Sequence, residues 1–424
     1  MASLLRGVRR VVVGMSGGVD STVSALLLKQ RGYEVVGVFM RNWDGRDETG
    51  FCSADKDCEE AEKVASRLGI EFHVKDFVKE YWNEVFQELL EGYKKGLTPN
   101  PDILCNSRVK FTHFFDYALN DIGCDAIATG HYARNSFGED LEHSRDDQRA
   151  ELLKSVDRTK DQTFFLSQVP QKALRKTIFP VGELTKPVVK QIAKGAGFTE
   201  IAEKKESMGI CFVGKKVGPG GRGFQEFISE YLVDKPGKFV DLDTGLEVGS
   251  HTGVHQWTIG QRCKINRDED AYFVVSKDTG TDDIMVVNES QHPALYTETF
   301  FTSEPHWIGA PPEGLRSRLS SRQVQTEFRF QNQAPLTPCV VSFGMKSTSN
   351  WESMDQSSLV VSVAEPLRAV SPGQFAAFYQ GDVCLGSARI ERPGPSLYTL
   401  NIKGCRTEIR QRRATEENLT TDVT

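Results

Sequence analysis

Two cysteines in this chain stand where sulfur chemistry is conceivable, and each has an ordinary explanation beside it. Cys105 follows Pro99, Asn100, Pro101 and Asp102. The two prolines fix their own φ and bias the residues before them away from helix, so this is a stiffened turn. It leads into a helix whose Phe111, Phe114, Phe115 and Ala118 mark one buried face. Cys105 is therefore expected at or just before a helix N-terminus, with Arg108 and Lys110 close in sequence. Both influences favour a thiolate and hence a nucleophile. Asp102 could exchange a proton with a bound substrate or cap the helix, and Cys105 could be a buried, inert thiol. Cys211 lies in the run Gly-Ile-Cys-Phe-Val-Gly at 209–214. It reads as a buried strand cysteine or, because the flanking glycines let the segment move, as a thiol that closes on Cys105.

A second stretch carries phosphate chemistry. Gly14, Met15, Ser16, Gly17, Gly18, Val19, Asp20 and Ser21 follow the apolar run Val11, Val12, Val13 and precede a helical pattern holding Val23, Leu26 and Leu27. The glycines leave backbone N–H groups uncovered at the positive end of a helix, where a phosphate or pyrophosphate is favoured. The spacing is neither that of a P-loop, which needs Lys followed by Ser or Thr, nor Gly-x-Gly-x-x-Gly. What remains, Ser-Gly-Gly-x-Asp-Ser, resembles the pyrophosphate loop of the ATP pyrophosphatase superfamily, whose members adenylate a carbonyl oxygen and release pyrophosphate. An ordinary glycine-rich turn is the alternative.

The elements that must position these residues alternate strand and helix from Arg9 to Gly214. Strands are expected at 34–40, 71–76 and 125–130, with helices at 61–68 and 111–119 between them. That pattern is an α/β fold with a doubly wound parallel sheet. Ligands in such sheets sit at the carboxyl ends of strands, so residues 14–21, Met40, Gly130 and His131 should converge on one crevice. A core histidine is the other reading of His131. Residues 135–149 read as a polar surface loop. The basic, glycine-rich 215–223 reads as a linker, followed by a short helix at 224–232 and strands with turns at 243–245 and 278–280. Near-alternating runs at 324–330, 339–343, 359–363 and 374–379 fit a barrel-like β domain. The expected units are a catalytic domain at 1–214, a small β-rich domain at 215–296, a β-barrel-like domain at 297–405 and a disordered tail at 406–424.

Composition narrows the class. With 424 residues and 39% apolar content the chain suffices for two or three domains with real cores. No apolar run approaches the ~18 residues of a membrane span. Nine cysteines, scattered and without a Cys-x-x-Cys pair, resemble neither a disulfide framework nor a structural zinc site. Metal is expected only as Mg2+ carried in with ATP. The net charge of −6 leaves room for a local basic stripe facing nucleic acid. Lys160, Asp161 and Gln162, and the pair Arg329 and Phe330, mix charge with hydrogen-bonding or stacking groups as such contacts do. An exposed polar loop for the first and a β-strand core edge for the second are the alternatives. Arg6, Arg9 and Arg10, with no acid before Asp20, faintly resemble an organellar targeting segment.

Taken together, Ser16 to Ser21, Asn100-Pro-Asp with Cys105-Asn106, Thr129-Gly-His-Tyr-Ala, Lys160-Asp-Gln-Thr, Gly209-Ile-Cys and Ile259-Gly-Gln-Arg resemble the tRNA-specific 2-thiouridylases, most closely the mitochondrial type. The resemblance runs from the loop to about residue 403. It implies ATP contacts at residues 14–21, Met40 and Gly130, and the target base at Asn100, Pro101 and Asp102. It further implies Cys105 as nucleophile with Cys211 as persulfide carrier. His131, Lys160, Asp161, Gln162, Arg329, Phe330 and Gln374 would touch a tRNA anticodon stem-loop. A sulfur-relay or other persulfide donor protein would be the second partner, and a monomer is expected. An amidating ligase of the same superfamily and a tRNA-binding module without chemistry are the rival readings.

Overall fold

The computed structural model describes residues 8–44, 53–145, 147–204, 224–265, 271–316, 322–344 and 358–400. Cys211, the 215–223 linker and the 406–424 tail lie outside the described residues.

Val11, Val12 and Val13 are buried on both sides, as a central parallel strand requires. They belong to β1 (Arg10–Gly14), which pairs with β2 (Glu34–Arg41) on one side and β4 (Ala126–Thr129) on the other. With β3 (Glu71–Asp76) and β7 (Thr177–Ile178) they form a five-stranded parallel sheet in the order β3-β2-β1-β4-β7. The strands expected at 34–40, 71–76 and 125–130 are β2, β3 and β4. Helices α1 (Val19–Gln30) and α2 (Ser53–Leu68) flank the sheet. Inside α1, Thr22 and Ser24 are buried because their hydroxyls donate back to Gly18 O (2.9 Å) and Asp20 O (2.8 Å).

The polar stretch at 135–149 is more than a surface loop. It joins two short strands, β5 (Ala133–Asn135) and β6 (Leu152–Lys154), and buries Phe137 and Leu141. Three-residue strands carry too little alternation to read from sequence.

A second sheet has the order β10-β11-β12-β8-β9, built from β8 (Gly237–Asp241), β9 (Glu247–His251), β10 (Arg262–Lys264), β11 (Ala271–Asp278) and β12 (Asp283–Val287). Phe239, Val254, Val274, Ile284 and Val286 fill its core. Beyond it, β13 (Tyr296–Thr302), β15 (Val324–Arg329), β16 (Thr337–Phe343), β17 (Leu359–Arg368), β18 (Phe375–Gln380) and β19 (Val383–Pro393) close into a six-stranded barrel through the β13–β19 pairing. A two-residue strand, β14 (His306–Trp307), rides on β19. The β5–β6 hairpin extends this barrel sheet, with Leu153 opposite Val383 and Leu152 opposite Cys384. Backbone hydrogen bonds thus stitch the N-terminal unit to the C-terminal one. Among the described residues no helix is long and apolar enough to cross a membrane.

Candidate active site

β1 ends at Gly14, opposite Val38 of β2 and Thr129 of β4, and the chain turns through Met15 to Gly18 into α1. Met15 N–H donates to Val38 O at 2.8 Å. Gly17 has φ +70°, and a Cβ there would overlap the Asp57 carbonyl, so only glycine fits. Gly18 is the N-cap of α1 without a side-chain cap, which leaves the helix start open to an anion. Ser21 Oγ accepts from Ser16 N–H (3.2 Å) and donates to Gly18 O (3.1 Å), holding the turn in shape. A Cβ on Gly130 would stand 2.7 Å from Ser21 N, and one on Gly14 would stand 3.1 Å from Met40 Cε. Gly14, Met40 and Gly130 therefore meet around one cradle at the carboxyl ends of β1, β2 and β4.

Asp20 faces a cation that sequence reasoning missed. Lys186, buried at the start of the helix Lys186–Gly195, donates Nζ to both Asp20 oxygens at 2.8 Å. Tyr132 OH donates to Asp20 Oδ1 at 2.9 Å. Lys186 N–H in turn donates to Asp157 Oδ2 at 2.9 Å. A lysine preceding a proline carries no motif that points to a loop 166 residues away. Lys204 adds a second cation: its Nζ pairs with Asp57 (2.8 Å) and Glu60, and lies 3.4 Å from Gly17 O.

The cysteine arm differs from expectation in one respect. The helix begins at Pro101–Leu104 with Asn100 as its cap, Oδ1 accepting from Ile103 N–H at 3.3 Å. Asp102 is therefore not the cap, and Cys105 lies one turn inside the helix. It opens a π-helical segment, Cys105–Phe114, a form that concentrates at functional sites. Phe111, Phe114, Phe115 and Ala118 are all buried, as their spacing predicts. Burial raises the Asp102 carboxyl above its usual range, and Lys110 opposes only part of that shift. Cys105 is 5% exposed, and Asn42 Nδ2 from the end of β2 lies 4.0 Å from its sulfur. The Oδ1 atoms of Asn42 and Asn106 are buried with no hydrogen-bond partner among the described residues. Two orphaned acceptors beside a thiol suit a ligand that brings N–H or O–H donors.

Asn100 also reaches the barrel. Its Nδ2 donates to Gln374 Oε1 at 3.3 Å, and Gln374 Nε2 donates to Thr98 O at 2.8 Å. The structure thereby joins two candidate tRNA residues 274 positions apart. His131 sits at the end of β4, its Nδ1 2.8 Å from Thr129 Oγ1 and its ring beside Phe111. Burial, with Lys110 adding to it, holds its pKa well below the ordinary value, so the imidazole is neutral. Gln162 is locked to the neighbouring Tyr132, N–H to O and Oε1 to N–H, each at 2.9 Å.

Asp161 is buried instead of lying on an exposed loop, and Arg329 and Phe330 are buried at the end of their strand, as the core-edge reading has it. Asp161 accepts from Ser155 N–H (3.1 Å) and pairs with Arg329, whose Nε also donates to Tyr379 OH at 3.2 Å. Phe330 stacks on Phe328 in the barrel core. These side chains bind the hairpin side of the N-terminal unit to the barrel. Among the described residues no group of three or more His, Cys, Asp or Glu could hold a metal ion.

Three family models match in order: a tRNA methyl transferase HUP domain over 9–215, a tRNA methyl transferase PRC-barrel domain over 225–288 and an aminomethyltransferase beta-barrel domain over 297–390. Relatives match nearly end to end. The mitochondrial tRNA-specific 2-thiouridylase 1 of Gallus gallus is 46% identical over 94% of this chain and 95% of its own length. That of Danio rerio is 48% identical over 92% and 94%. The tRNA-specific 2-thiouridylase of Lactiplantibacillus plantarum is 43% identical over 90% and 95%. With identity at that level along almost the full length of each, the chain belongs to the tRNA-specific 2-thiouridylase family.

Proposed function

We propose that this chain thiolates C2 of the wobble uridine in tRNA at the expense of ATP, in mitochondria, as the names of its relatives suggest. The observation that carries the reading is the opening of the glycine cradle and the Asn100–Cys105 turn on the same end of one parallel sheet, at the edge of the barrel.

The C2 carbonyl is a poor electrophile without a leaving group. ATP supplies one: the carbonyl oxygen attacks the α-phosphorus and pyrophosphate departs. Ser16 to Ser21 would receive the departing charge on backbone N–H groups and the start of α1. Mg2+ would neutralise the pyrophosphate, and Asp20 is the carboxylate in the cradle placed to hold it. Lys186 would then exchange Asp20 for phosphate oxygens, which keeps a cation in the cradle throughout. Met40 and Gly130 would border the nucleotide.

Asn100, Pro101 and Asp102 would receive the target base, splayed from the anticodon loop as single-stranded RNA permits. Sulfur would arrive as a Cys211 persulfide from a donor protein. Either its terminal sulfur attacks C2, AMP leaves, and Cys105 thiolate then takes the Cys211 sulfur and frees the thiolated base, or Cys105 first releases sulfide from the persulfide and that sulfide attacks C2. Both routes leave a Cys105–Cys211 disulfide, to be reduced by an external thiol. Asp102, its pKa raised by burial, is placed to exchange a proton with the bound base. His131, Lys160, Gln162 and Gln374 would touch the tRNA, while Asp161, Arg329 and Phe330 would support that surface from beneath. The units 1–214, 215–296 and 297–405 are proposed as its catalytic, central and barrel parts, acting as a monomer.

Incubation of unmodified tRNA with ATP, Mg2+ and a persulfide donor, followed by digestion, should yield 2-thiouridine. An amidated base formed from ammonia would instead select the ligase reading.

A further inference from the structure

Where the hairpin joins the barrel, a cavity of about 540 Å3 opens between Lys154, Arg158, Thr159 and Asp161 on one side and Arg329 and residues 332–336 on the other. Its floor is the buried Asp161–Arg329 pair, with Arg329 Nη1 donating to Asn332 O at 2.8 Å. Its rim is cationic. Arg158, Arg134 and Lys154 all converge on one carboxylate, Asp382 in the turn between β18 and β19, at 2.9, 2.9 and 3.8 Å. Glu183 lies 3.4 Å from Arg134, and Asp161 lines the same pocket. Lys154 stands beyond hydrogen-bond reach of Asp382, and Arg158 is about half exposed, so both can take up another anion.

Arg158 is followed by Lys160 and then by Gln162, which is bonded to Tyr132 beside His131.

We propose that this pocket holds a stretch of the tRNA sugar-phosphate backbone, with Arg158 and Lys154 as its phosphate ligands. The proposal rests on the tRNA reading above and adds to it a site that anchors the RNA away from the reacting base. Phosphate competes with Asp382 for Arg158, whose planar fork suits two oxygens at once. Lys154 adds a point charge. Neither contact reads sequence; both set register and contribute through counterion release.

Binding of an unmodified tRNA transcript to the full chain, without ATP, is measured over a range of salt concentrations. The Lys154→Gln, Arg158→Gln double variant should bind about tenfold more weakly or worse at physiological salt, with a salt slope shallower by about two. Asp382→Asn, which frees the same cations, should bind more tightly than wild type. ATP affinity should stay at the wild-type value in all three. A double variant with wild-type slope and affinity overturns the proposal, as does an Asp382→Asn variant weakened like the double one, which would make the cluster a brace for the hairpin. A wild-type chain without salt-dependent tRNA affinity would fail at the earlier step, the tRNA reading itself.

Discussion

Lys186 donates to both carboxylate oxygens of Asp20 at 2.8 Å, and so places a buried ammonium inside the cradle that the glycines of the 14–21 loop leave open. A cation already in the cradle can follow the charge when pyrophosphate departs, and no solvent need reorganise to supply it.

Lys186→Met should therefore lower the rate of tRNA-dependent pyrophosphate release by about 10²- to 10³-fold, the range for loss of one charge-stabilising group. The variant also takes two hydrogen bonds from Asp20 and leaves it that of Tyr132 OH, so the melting temperature should fall. Pre-steady-state pyrophosphate release measures the first effect and calorimetry the second. A wild-type rate would remove Lys186 from the cradle chemistry.

The pairing of Asp161 with Arg329 predicts a stability phenotype more than a binding one. Arg329→Met would strand a carboxylate that is 3% exposed, a loss of about 3–5 kcal/mol by analogy with other broken buried pairs. Denaturant unfolding should show it. Undiminished stability together with weakened tRNA binding would mean that Arg329 faces the RNA.

Two groups give opposite pH signatures. Asp102 has its folded pKa raised by burial, so its contribution is full below the ordinary carboxylate pKa and is lost as pH rises through the raised value. Asp102→Asn should consequently stabilise the fold at pH 7, with the difference vanishing in acid, while activity falls. His131 has its folded pKa depressed by burial, so stability present above pH ~6.5 is lost as pH falls towards the depressed value. Its replacement by Gln should flatten that acid limb. Melting temperature against pH, for both variants, separates the two; parallel curves would contradict these assignments.

Much of this was legible in the sequence because the signals were local. The Val11–Val13 run, the glycine loop and the period of Phe111 to Ala118 each depend on neighbours a few residues apart, and each appears where that spacing puts it. What escaped depends on distance along the chain. Lys186 meets Asp20 across 166 residues and Arg329 meets Asp161 across 168, with no periodicity linking them. The misplacement of the helix start near Cys105 is of another kind. Pro101 reads as holding off the helix, yet proline at the first helical position needs no N–H partner, and Asn100 before it supplies the cap. Burial of Arg329 and Phe330 agrees with the core-edge reading of that strand, whereas burial of Asp161 escaped because its partner comes from another domain, which a local polar pattern does not show.

The central claim is that an ATP cradle and a two-cysteine sulfur relay act on one uridine. Its most direct test is a single-turnover reaction on unmodified tRNA with a persulfide donor, scoring pyrophosphate and 2-thiouridine together for wild type, Cys105→Ser and Cys211→Ser. Thiolated base is expected from wild type alone, with ATP binding retained in both variants. Normal thiolation by either variant, or pyrophosphate release from wild type without any thiolated base, would contradict it.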